Sequence, residues 1–152
     1  MAEKTCCVAS RLEIPTDKLD DVRRELKLEI GAALEDGYRT FVSGFEEGVG
    51  MLFYQLVNER RGEYPDIFLE VILHPDHCEG FNRADWQLIS KSNGIKFLSK
   101  ELQMDYLYTV TRYTVGVSER VIAVYDGQAD RVTLYAMNYA HSLERDLRII
   151  EI

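Results

Sequence analysis

The sequence predicts an α/β protein, a parallel sheet of about six strands with helices on both faces, and three observations carry that prediction. Short apolar and β-branched runs recur along the chain, and stretches with helical spacing separate them. The run Ile67 to Leu73 has the composition of an interior parallel strand, buried on both faces. At Thr40 to Gly44 a short run ends in glycine just before an apolar helical stretch, the junction on which Rossmann-like sheets are built.

In order, Thr5 to Ala9 is a first strand, with Ser10 and Arg11 where it ends. Thr16 or Asp17 is expected to cap a helix that puts Leu19, Val22, Leu26, Ile30 and Ala33 on one face, and Gly37 sits just past its end. The strand ending at Ser43-Gly44 leads through a glycine-relieved turn into a helix expected to start near Glu46 or Glu47. Met51 to Tyr54, Leu56 and Val57 make that helix apolar over much of its circumference, so it should be well buried. Pro75 stops the third strand, a short helix is expected near Ala84 to Lys91, and Ile95 to Leu98 is a fourth strand. Glu101 to Val115 has helical spacing at Tyr106, Leu107, Val110, Tyr113 and Thr114. Its β-branched content also suits a strand, and helix is preferred. Arg120 to Tyr125 is another buried strand, closed by an Asp126-Gly127 turn. A helix from about Arg131 to His141 and a strand near Leu147 to Ile150 complete the pattern.

A chain of 152 residues is most simply one domain, large enough to bury a proper core. Its formal charge of -8 disfavours a broad nucleic-acid or anionic-membrane surface, because phosphate demands clustered Lys and Arg. Cys6, Cys7 and Cys78 form no disulfide framework, and neither a signal peptide nor an apolar run approaching ~18 residues is visible. A cytoplasmic protein is expected. Cys6 and Cys7 read as buried thiols acting as small hydrophobes.

Right-handed crossovers would bring Ser10, Ser43, Gly44, His74, Ser99, Asp126 and Gly127 to one rim, beyond the carboxyl ends of the strands. Ser43 and Gly44 stand where free helix amides favour a phosphate or carboxylate; otherwise they only permit a tight turn. Gly48 and Gly50 let a ligand or the sheet approach closely. Glu46 and Glu47 complement the helix dipole but repel an anion. Asp126 suits a ribose hydroxyl or simply its turn. Arg11 and Arg112 can supply charge to a phosphate, and a surface ion pair competes for Arg112. The His74-Pro75-Asp76-His77-Cys78 cluster has metal-capable side chains in no zinc spacing, so no metal is expected. Trp86 suits either base stacking or a core anchor. Tyr106, Tyr108 and Tyr113 suit core packing, a pocket or a subunit interface.

Taken together, Phe41-Val42-Ser43-Gly44 with Gly48-Val49, Tyr64-Pro65 before a strand, Arg112-Tyr113, and Ile122-Ala123-Val124-Tyr125-Asp126-Gly127 resemble the YpsA-like family of the SLOG superfamily over nearly the whole chain. The resemblance implies a Rossmann-like domain related to DprA and the LOG phosphoribohydrolases, whose superfamily binds nucleotides or nucleotide-derived ligands, some in bacterial immune signalling.

Departures accompany it. The family's Thr-Gly-His-Arg-Pro is here Ala9-Ser10-Arg11-Leu12, and its Gly-Val-Asp is Gly48-Val49-Gly50. Gln55 and Gly116 stand where the family has further carboxylates, and the Pro-Gly-Gly-x-Gly-Thr element of LOG enzymes is missing. General acid–base chemistry needs a titrating group in reach. The expectation is therefore ligand binding without turnover, for sensing or sequestration of a nucleotide, a cyclic nucleotide or an ADP-ribose-type signal. Ser10, Arg11, Ser43, Gly44, Gly48, Arg112, Asp126 and Gly127 are the expected ligand-binding residues. No cofactor is expected, and the protein is expected to be a homo-oligomer. A nucleotide N-glycosidase, or an interaction module with a vestigial pocket, is the alternative.

Overall fold

The computed structural model describes residues 4–10, 13–99, 105–127 and 131–152. Six strands, β1 (Thr5–Ala9), β2 (Thr40–Ser43), β3 (Phe68–Leu73), β4 (Gly94–Phe97), β5 (Arg120–Tyr125) and β6 (Asp146–Glu151), form one sheet in the order β4-β3-β2-β1-β5-β6. Every pairing is parallel. The chain steps outward from β1 to β4, then returns to lay β5 on the other side of β1. The order therefore reverses between β1 and β5, as in doubly wound folds.

Neighbouring residues of the strands face opposite layers, and both layers are apolar. Cys6, Phe41, Leu69, Val71 and Ile122 pack with Val22, Leu26 and Ile30 of α1 (Leu19–Glu35) and Leu52, Phe53 and Leu56 of α2 (Val49–Arg60). Cys7, Val42, Ile72 and Val121 pack instead with Val110 and Val115 of α5 (Tyr106–Gly116) and Ala136 and Ala140 of α6 (Arg131–Ser142). This period of two, buried on both sides, is why the strand sequences read as near-continuous apolar runs. Burial drives both thiols up, that of Cys7 to about 12, so they stay neutral packing groups.

Helix starts differ from expectation in two places. Neither Thr16 nor Asp17 caps α1: a short 3-10 turn, Thr16–Lys18, precedes it, and Lys18 takes the cap position with no side-chain bond. The second helix begins at Val49 rather than at Glu46 or Glu47, because Gly48 takes a positive φ of 87° that ends the loop. Gly37, with φ 93°, follows α1 as expected for a left-handed terminator.

Two short helices follow β3: α3 (Pro75–Cys78) and α4 (Arg83–Ile89). A capping box holds α4, with the Asn82 side chain accepting from the Asp85 amide at 2.9 Å and Asp85 accepting from the Asn82 amide at 3.0 Å. Asn82→Ala is expected to cost about 1 kcal/mol in urea unfolding. Trp86 is not a core anchor. It is 41% exposed and meets Phe81 edge-on, with ring centroids 5.4 Å apart, and Ile89 is the buried residue of α4.

At the amino end of the sheet Arg120 is buried and bonds Asp36 at 2.7 Å and Asp146 at 2.9 Å, tying α1 to β5 and β6. Its guanidinium also lies 4.6 Å from the Tyr38 ring centroid. No described helix is long and apolar enough to cross a membrane.

Candidate functional site

The β2–α2 loop is held by one hydroxyl. Ser43 is fully buried; its Oγ accepts from the Phe45 amide and donates to the Gly50 carbonyl, both at 3.0 Å. The loop folds back so tightly that Phe45 adopts a left-handed φ of 58°, and its ring is buried against Tyr54 and Phe81. The Tyr54 hydroxyl is itself bonded to the Leu88 carbonyl, which ties α2 to α4.

Glu46 follows, and its side chain turns inward. A Cβ built on Gly44 would collide with Glu46 Oε1, and one on Gly50 with Glu46 Oε2, so the carboxyl lies in a bed that the two glycines clear. The residue is 9% exposed, and Oε2 has no hydrogen-bond partner among the described residues. Burial pushes this carboxyl up to about 7, and its own backbone amide offsets only part of that. A carboxylate at the first turn of a helix is ordinarily stabilised by the dipole. For Glu46, in the loop before α2, loss of water outweighs any such benefit, because no described group completes the hydrogen bonding of Oε2.

Beyond this loop a cleft of about 560 Å³ opens past the carboxyl ends of β2 and β3. One wall is aromatic. The ring of Tyr106, at the start of α5, stacks on His77 with centroids 5.1 Å apart and planes 15° from parallel. Phe81 closes the other side, edge-on to His77 at 4.7 Å and to Phe45 at 5.6 Å. The polar lining is acidic: Glu13, Glu46, Glu47, Asp76 and Asp85 all border the cleft. No lysine or arginine borders it among the described residues.

His77 borders the cleft, and His74 is buried outside its lining. His74 is buried at the end of β3 and accepts the Asp76 amide on Nδ1 at 3.1 Å, which puts the proton of the neutral ring on Nε2. His77 Nδ1 has no hydrogen-bond partner among the described residues, and burial holds its ring below the ordinary imidazole range although Asp85 pulls the other way. His77 is therefore a neutral packing group near pH 7. No group of three or more His, Cys, Asp or Glu side chains among the described residues is placed to hold a metal ion.

The structure distributes the expected ligand residues over the rim rather than inside the cleft. Ser43, Gly44 and Gly48 form the loop behind Glu46, with their polar atoms and space committed to the turn. Ser10 and Asp126 stand at the ends of β1 and β5, at the reversal of strand order, where Ser10 Oγ donates to the Val124 carbonyl at 3.1 Å. Gly127 follows with φ 84°. Arg112 lies on the exposed face of α5, and Arg11 lies outside the described residues. His74, expected at the rim, lies directly beneath Tyr106, with ring centroids 5.8 Å apart.

The chain matches no protein-family model and no curated protein.

Sequence reasoning missed Tyr106, His77, Phe81 and Asp85 as neighbours. For His77, Phe81 and Asp85 the signal was present only as a cluster of aromatic and acidic residues between Pro75 and Trp86, which no simple periodicity separates from a polar loop, and Tyr106 stood in a separate tyrosine-bearing stretch.

Proposed function

We propose that the protein binds a nucleotide or nucleotide-derived small molecule at this rim, for sensing or sequestration and without turning it over. The observation that carries the reading is the cleft beyond β2 and β3, lined by both aromatic rings and carboxylates. Open α/β sheets present ligands beyond their carboxyl ends. A volume of about 560 Å³ matches the size of known small-molecule sites. Rings such as Tyr106 and Phe81 offer faces and edges to a base. Carboxylates accept from ribose hydroxyls and exocyclic amines. The resemblance to YpsA-like SLOG proteins points the same way, as does the lack of a carboxylate at positions 50, 55 and 116.

Glu46 favours a second reading, cleavage of an N-glycosidic bond. A carboxyl pushed up to about 7 is matched to proton donation near neutral pH. Incubation with ribonucleosides, their monophosphates, cyclic nucleotides and ADP-ribose separates the two. Intact ligand recovered from denatured protein supports binding; free base supports cleavage. No thermal shift with any member of the panel contradicts both. Tyr106→Ala should weaken the best ligand about tenfold or more in calorimetry, the loss expected for one stacking partner. Unchanged affinity would remove the aromatic wall from the site.

A further inference from the structure

The carboxyl of Glu46 occupies a strand-to-helix junction, where backbone amides ordinarily favour a phosphate. It belongs to the loop before α2 and lies between the two glycines, one in that loop and one in the helix's first turn, whose missing Cβ atoms make room for it. Such room at a strand-to-helix junction is what lets a pyrophosphate approach the backbone. In this chain that room is filled from within. Added side chains at Gly44 or Gly50 would meet Glu46 before they met anything outside, and at Gly44 they would also lie 2.5 Å from Val110 Cγ1.

Two further observations point to the ligand. Oε2 of Glu46 is buried without a partner among the described residues, so the seat carries an acceptor that no described donor satisfies. The cleft in front of it is bordered by Glu13, Glu47 and Asp85 as well, and by no described basic side chain. A phosphate moved into this region would meet like charges in a partly dry site, where such repulsion is strong.

We propose that Glu46 is a built-in occupant of the phosphate seat, and that the cleft therefore takes a neutral or cationic nucleoside-like ligand rather than one presenting a phosphate to α2. The proposal rests on the binding function above and narrows it to a chemical class. Glu46 acts as the specificity-determining residue, by excluding the anion instead of by contacting it. A phosphorylated ligand is accommodated only with its phosphate directed away from the β2–α2 loop.

Calorimetry at pH 8 on the full chain tests this, with the four ribonucleosides, their 5′-monophosphates and inorganic phosphate as probes. The wild-type protein should bind one nucleoside at least about tenfold more tightly than its monophosphate, and inorganic phosphate not at all. Glu46→Ala, which empties the seat, should lose that preference and gain measurable binding of the monophosphate or of inorganic phosphate. Glu46→Gln, which fills the seat without charge, should narrow the preference without admitting inorganic phosphate, and it serves if the alanine variant does not fold. A monophosphate bound by the wild type as tightly as its nucleoside would overturn the proposal while leaving the binding function intact. Failure of the wild type to bind any nucleoside or nucleotide overturns the binding function. In that case inorganic phosphate bound only by Glu46→Ala still supports the filled seat, and its absence overturns that too.

Discussion

Glu46→Gln is expected to stabilise the protein by about 3 kcal/mol above pH 7 and to change it little below pH 4.5. The unfolded chain ionises this carboxyl near 4.5, whereas the folded chain keeps its proton until about 7. Between those values the folded state binds more protons than the unfolded state, so stability falls as pH rises. Above the folded value both states are ionised and the penalty has reached its plateau. Glutamine keeps the shape of the side chain and cannot ionise, so it escapes the penalty. The other carboxylates titrate in both proteins and cancel in the difference. Urea unfolding of both proteins at several pH values between 4 and 8.5 measures it. A difference that stays constant across that range would mean that Glu46 is solvated in solution.

The second large effect is at Ser43. Ser43→Ala should cost about 2–3 kcal/mol, because it strips partners from the Phe45 amide and the Gly50 carbonyl in a site without surface exposure. The loss is local in cause and wider in consequence. Phe45 holds a left-handed backbone only because its surroundings enforce it, and its ring supports both Tyr54 and Phe81. The variant should therefore also weaken ligand binding. Urea unfolding and calorimetry check the two effects. A Ser43→Ala protein as stable as wild type would contradict the hydrogen-bond assignment in the loop.

The architecture was legible because burial on both faces leaves a strong mark on composition. Ile67 to Leu73 and Arg120 to Tyr125 could be placed as interior strands from residue type alone, and both lie inside the sheet. The apolar circumference of α2 likewise foretold its burial. Details set by hydrogen bonds were not legible in this way. Whether Thr16 caps a helix depends on the geometry of the preceding turn, and the start of α2 depends on the φ of Gly48.

The candidate site was legible in outline only. The glycines at 44, 48 and 50 mark close approach, but a sequence does not say what approaches. Glutamate next to such glycines ordinarily faces water, and the inward turn of Glu46 follows from the left-handed Phe45 before it. Trp86 illustrates the converse: its size suggested a core role, yet Ile89 on the same helix fills the inner position.

The most direct test of the account is an amide and side-chain NMR titration of the labelled full chain with the nucleoside that gives the largest thermal shift. The account predicts that resonances of Phe45, Glu46, His77, Phe81 and Tyr106 move together and saturate with one constant. Movement confined to the amino end of the sheet, around Tyr38 and Arg120, or no saturable movement with any nucleoside, would contradict it.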